Sequence, residues 1–246
     1  MVAVPFATTA IALFFTLSLV DQFLERRRPY QGIWALGMGL YGLASLLQGL
    51  WQLGVTGEVV FRLWYITGGM LVAAYLGMGT LYLHAPRPVA HGIFGGLVVL
   101  TVVGAVLALV TPLQTGADLR HLYGQALASV DPQTGMRYFP AGVGALTAFL
   151  NTAGSLALIG GAVYSAVVFA QRRQAGYRVV SSVLIALGAF LSAAGGTLER
   201  FNFPQAHTLA LLLGIVVIYV GFLRSREVIA VFRFPFARGA SRPGVT

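Results

Sequence analysis

The chain has no cysteine and no lysine, and only seven acidic residues stand against sixteen basic ones, all of them arginine. Without a thiol there is no disulfide, no thiolate metal site and no cysteine nucleophile. Without lysine no retinal Schiff base can form, because that chromophore is held through the amine of a lysine. Charge as a whole is scarce: 9% of the 246 residues are charged and 57% are hydrophobic. A water-soluble helical protein of that composition would have too few polar positions to coat its outside.

What the chain does have is seven long runs without formal charge, at 2–20, 31–53, 63–83, 92–110, 140–170, 179–198 and 206–223. Crossing a hydrocarbon core of about 30 Å takes roughly 20 helical residues, and a backbone buried in lipid must satisfy its own hydrogen bonds. The expected fold class is therefore all-α, a polytopic membrane protein of seven transmembrane helices whose first partner is the lipid bilayer.

The arginines fall in alternate connections. Arg26, Arg27, Arg28, Arg87, Arg172, Arg173, Arg178, Arg224, Arg226, Arg233, Arg238 and Arg242 lie on one side of the predicted bundle. Arg62, Arg120, Arg137 and Arg200 lie on the other, each with an acid nearby in sequence: Glu58, Asp118, Asp131 and Glu199. The positive-inside rule then predicts an N-terminus outside and a C-terminus in the cytoplasm, in the plasma membrane. Topology accounts for the net charge of +9. No basic stretch is interleaved with aromatics as strand binding would need, so nucleic acid is not an expected partner. The first run has no basic residue ahead of it and Glu25 with the arginine triplet behind it, and it reads as an uncleaved helix.

One bundle is expected over 1–225 and a basic cytoplasmic tail over 226–246, whose EVIAVFRFPF sequence suits a helix extension or surface anchor. The longest connection, 111–139, lies on the outer side. Asp118 can start a short helix there carrying Leu119, Leu122, Tyr123 and Leu127, either as a lid or as a loop resting at the interface. Small residues four apart, Gly188, Ser192 and Gly196, and likewise Gly92 and Gly96, predict close helix packing within the bundle or, alternatively, a dimer face.

The polar residues inside these runs cluster toward the outer side. Gln48 and Gln52 end the second, Glu58 and Arg62 open the third, Glu199 and Arg200 end the sixth, and Asn151 falls roughly 16 Å into the fifth. Glu58 and Arg62 share a helical face. Ionisable groups at such depths usually pair inside a bundle or line a wet cavity. The expected site is thus an outward-facing polar pocket floored by Asn151 and walled by Gln48, Gln52, Glu58, Arg62 and Glu199, with Tyr65, Trp51 and Trp64 as aromatic lining. The competing reading is a purely structural Arg62–Glu199 ion pair.

Catalytic patterns are missing. His84 and His91 are predicted on the cytoplasmic side and His121 and His207 on the outer side, too far apart to share a metal. There is no phosphate-cradling glycine loop, and Ser155 has no base in its own half of the membrane. Neither an enzymatic activity nor a metal or other cofactor is expected.

The stretch ERRRPYQGIWALGMGLYGLAS after the first helix, the FRLWY opening of the third and the N-out, C-in plan resemble the seven-helix N-terminal membrane sensor region of bacterial histidine kinases, and stand-alone bacterial membrane proteins of that size. The resemblance implies sensing from the outer side. No phosphoacceptor or ATP-binding sequence follows the last helix, so signalling would pass through a separate membrane or cytoplasmic protein docking on the arginine-rich face. Three functions are carried forward: a receptor-like or accessory protein binding a small molecule or lipid, a small-solute transporter, and a structural subunit of a larger membrane complex.

Overall fold

In the computed structural model the described residues are 2–114, 116, 118–172, 176–200 and 204–224, with the side chains of Glu199, Arg200, Pro204 and Gln205 outside that set. The 226–246 tail and Arg173 also lie outside it. The chain forms seven helices long and apolar enough to cross a membrane, and among the described residues it contains no strand. They are α1 (Ala3–Arg26), α2 (Pro29–Gln52), α3 (Glu58–His84), α4 (Arg87–Val110), α5 (Ala141–Gln171), α6 (Gly176–Arg200) and α7 (Pro204–Arg224).

The helices outrun the apolar runs. The first run ends at 20, but α1 continues to Arg26, since intrahelical hydrogen bonding does not stop where hydropathy does. It ends because Arg27 turns left-handed at φ 51°, its N–H donating to Phe23 O, and because Pro29 forces Arg28 to be extended. Pro29 then sits in the first turn of α2, where its missing N–H costs nothing. Pro88 does the same for α4.

Six helices close a ring, α1–α2–α3–α5–α6–α7 and back to α1, while α4 packs outside it against α3 and α5. Chain order therefore departs from spatial order at one helix. Glycine sets the tightest crossings. Gly77 of α3 meets Gly154 of α5 backbone to backbone, and Gly188 of α6 meets Gly214 of α7 in the same way. Gly92 and Gly96, with Gly95, have open space where a side chain would be, so they do not pack within this chain. Large apolar side chains such as Phe14, Val99, Val102, Phe149, Phe190 and Leu213 are exposed, an extent of exposed apolar surface that water does not favour.

Within α3, Tyr65–Leu71 is a π-helix between α-helical Glu58–Trp64 and Val72–His84. Gly68 lies so close to α2 that a Cβ there would stand 2.8 Å from that of Ala44. Such wide turns rotate the following helical face relative to the preceding one and commonly mark functional sites.

The 111–139 connection covers the mouth of the bundle, and a short helix starts there at Asp118. Among the described residues of the loop this helix is a single 3-10 turn, Leu119–Leu122, and the Asp118 side chain accepts from Arg120 N at 2.9 Å. The rest is drawn into the bundle mouth, with Leu122, Leu127, Tyr138 and Phe139 buried. Trp51 Nε1 donates to Leu122 O at 2.7 Å and Gln48 Oε1 accepts from Leu127 N at 3.2 Å, clamping the loop to the last turns of α2.

Candidate functional site

The ring encloses a cavity of about 660 Å³ lined by all of its six helices and by Ser129, Val130, Gly135, Arg137 and Phe139 of the loop, which form its roof. Polar groups line the half nearest the roof: Ser45 and Gln48 of α2, Thr147 and Asn151 of α5, Thr208 of α7. Farther in, the walls turn apolar with Val72, Leu76, Leu158 and Ile218. Leu76 and Leu158 lie roughly 25 Å along their helices from the roofed ends, so the cavity is deep and narrow.

Of the residues expected at the site, Gln48, Tyr65 and Asn151 line this cavity, as does Trp64. Tyr65 Oη donates to Thr147 Oγ1 at 3.1 Å, and Asn151 Nδ2 donates to Gly69 O in the π-helix. Both bonds tie α3 to α5 along the cavity wall. Asn151 is consequently not a floor, because the cavity continues past it. Gln48 is nine-tenths buried; its Oε1 holds the loop while its Nε2 has no acceptor among the described residues.

Gln52, Glu58 and Arg62 lie outside the cavity lining, as does Trp51, which is fully buried against Phe61 and Tyr123. The side chain of Glu199 lies outside the described residues. Arg62 is buried and its bonds go elsewhere: to Glu58 at 2.8 Å through Nε, to Ala108 O, and to Thr111 O at 2.8 Å. Ala108 is in the last turn of α4, whose carbonyls have no intrahelical partner, and a cation there also meets the negative end of the helix dipole. The guanidinium additionally sits 5.6 Å from the ring centroid of Phe139. Arg62 thus fastens the peripheral α4 to the ring.

Replacing Arg62 with Met orphans those carbonyls and is expected to cost about 3 kcal/mol, the scale of removing one partner from a buried charged network. In a chain of this size that lowers Tm by roughly 6–12 °C. Glu58→Gln should move it by under about 1 kcal/mol, because the Glu58 side chain is 57% exposed. Thermal unfolding in detergent compares the two, and equal losses would disprove the assignment.

The roof has its own anchor. Asp131 is fully buried, and its carboxylate accepts from the backbone N–H groups of Gln133 at 2.8 Å, Asp118 at 3.2 Å and Thr134 at 3.3 Å, with His121 Nδ1 at 3.3 Å. Burial works to raise its pKa, but the converging donors outweigh it and hold it at about 2. Asp131 was read from sequence only as an acid near Arg137; its hold on the loop was not legible. Ser45 was missed, although Tyr41, Ser45, Gln48 and Gln52 recur at helical spacing and mark a polar stripe on α2. Thr147 and Thr208 carried no such signal.

The histidines are used singly. Tyr82 Oη lies 2.8 Å from His91 Nδ1, and His84 Nε2 lies 2.9 Å from Ser165 Oγ. Among the described residues no three metal-ligating side chains converge. No family model, curated protein or solved structure matches the chain.

Proposed function

We infer that this chain is a multi-pass membrane protein, receptor-like or accessory, that binds a small molecule or lipid in the roofed cavity. The observation that carries the reading is the cavity itself: about 660 Å³ of space at the centre of the ring, within the range of ligand sites and far above an ordinary packing void. The arginine asymmetry supports an orientation with the roof outside and the arginine-rich connections in the cytoplasm. The resemblance to kinase sensor regions supports passing the signal to a partner on that basic face. A transporter reading is weaker, because the inner walls at Leu76, Leu158 and Ile218 give a polar solute no path. A subunit reading has one observation in its favour, the open Gly92, Gly95 and Gly96 positions on α4.

The test is native mass spectrometry of the full chain released gently from its own membranes. A stoichiometric small adduct is expected. It should disappear in Ala193→Phe, because Ala193 is one of the small residues lining the cavity and the larger ring would take up part of that space. An adduct that persists undiminished in this variant would place binding elsewhere. A stoichiometric protein partner without any small adduct would make the chain a subunit.

A further inference from the structure

The charge pattern of the cavity is one-sided. Its lining includes no carboxylate among the described residues, whereas Arg137 stands exposed at the roof with no ion-pair or hydrogen-bond partner among them. The other described arginine of the same loop, Arg120, is paired with Asp118 at 2.9 Å. The surroundings of Arg137 are themselves positive. A Cβ on Gly144 would stand 3.2 Å from a guanidinium nitrogen of Arg137, which puts the cation against the first turn of α5. That turn begins at Pro140 without a side-chain cap, and a helix N-terminus is itself positive. Stability alone favours an acid at this position, and the chain has an arginine.

A second observation points into the same space. Gln48, nine-tenths buried in the cavity wall, has an amide nitrogen with no acceptor among the described residues. Tyr65, Thr147 and Asn151 satisfy one another or the backbone, and the deepest walls, at Leu76, Leu158 and Ile218, are apolar. The shape narrows the choice further. A volume of about 660 Å³ open to the centres of water molecules, spread over a depth of roughly 20–25 Å, leaves a channel on the order of 9 Å from wall to wall, narrower than a helix of 10–12 Å and wide enough for an extended chain.

Resting on the ligand-cavity reading above, we propose that the cavity takes a single-chain anionic amphiphile. Its acidic head lies between Arg137 and the start of α5, an acceptor oxygen meets Gln48, and its alkyl tail runs down to Leu76, Leu158 and Ile218. A carboxylate or a phosphate supplies the same head chemistry.

Trp64 lines the cavity and reports occupancy. Full-length protein in neutral detergent is titrated with terminally brominated dodecanoate, dodecanol and dodecylamine, and the saturable quenching of tryptophan fluorescence is followed. The acid is expected to bind at least about tenfold more tightly than the alcohol or the amine, the scale of a charge-assisted hydrogen bond. Arg137→Gln should bring the acid down to the alcohol, Arg137→Lys should keep part of the preference, and added salt should shrink it. Displacement by plain dodecanoate but not dodecyl phosphate assigns a carboxylate head, and the reverse a phosphate; either supports the proposal.

Equal binding of acid and alcohol in the unmodified protein, or a preference that survives Arg137→Gln, overturns the anionic head while leaving the cavity reading intact. No saturable quenching by any of the three overturns the amphiphile altogether. The cavity reading then stands or falls separately on the adduct lost in Ala193→Phe.

Discussion

Gly154→Ala is expected to destabilise the protein by roughly 3 kcal/mol, at the upper end of what overpacking costs, and to lower Tm by more than any single change at the roof. The added Cβ would stand 2.3 Å from the carbonyl atoms of Ala73 and 2.5 Å from Ala74 N, all backbone. A side chain can rotate away, but a backbone moves only with its helix, so α3 and α5 must separate. That separation also loosens the Tyr65–Thr147 and Asn151–Gly69 bonds on the cavity wall.

Gly77→Ala should cost about as much, since its Cβ would meet Gly154 O at 2.3 Å. The double variant should fall well short of the sum, because helices already driven apart by one methyl accommodate the second. Gly160→Ala on the same helix has nothing within 4 Å and should be neutral or up to about 1 kcal/mol stabilising. Thermal unfolding of the four variants in detergent decides it. Equal shifts for Gly154→Ala and Gly160→Ala would mean that the crossing does not have this geometry.

Asp131→Asn is expected to release the roof while leaving the helices folded. The amide keeps one acceptor oxygen and places an NH₂ among the backbone N–H groups of Gln133, Asp118 and Thr134. Losing a buried, charge-assisted network of this kind costs on the order of 2–3 kcal/mol, enough to open a loop but not a bundle. Hydrogen exchange should then rise at the Leu127 and Tyr138 amides, which donate to Gln48 Oε1 and Ser129 O, with no change inside α6 or α7.

The acid dependence has a definite sign. The carboxylate's pKa is lowered in the folded state, from the ordinary 3.8 to about 2, so its contribution is complete above 3.8 and disappears as pH falls toward 2. Over that window about 2 kcal/mol of loop stability should be lost, seen as a red shift when Trp51 leaves its buried seat under the loop. The Asn variant should show no such step. A wild-type step that persists unchanged in Asp131→Asn would assign it to another group.

Part of the site was legible because part of the physics is local. Gln48 and Asn151 stood out as polar groups inside apolar runs and Tyr65 as an aromatic beside them, and the structure places all three on one cavity. Arg62 stood out for the same reason and proved to serve helix fastening. What differs is the partner: carbonyls at the end of α4, some forty-six residues away in sequence, which no residue pattern announces. The π-helix at Tyr65–Leu71 rotates the faces of α3 beyond it, so the Glu58–Arg62 face does not extend down the helix.

By itself the sequence determined seven helices, since twenty charge-free residues and a self-satisfied backbone are properties of a run, not of its neighbours. The arginine asymmetry that supports the proposed orientation is of the same kind. Only the tertiary structure decided that α4 stands outside the ring, that Gly154 touches backbone while Gly96 touches nothing, that the 111–139 loop enters the bundle, and that Arg137 faces a cavity without an acid. The first three are relations between distant segments and the last holds among the described residues; all are set by which side chains and backbones exclude one another in three dimensions, and hydropathy read along one dimension carries no record of them.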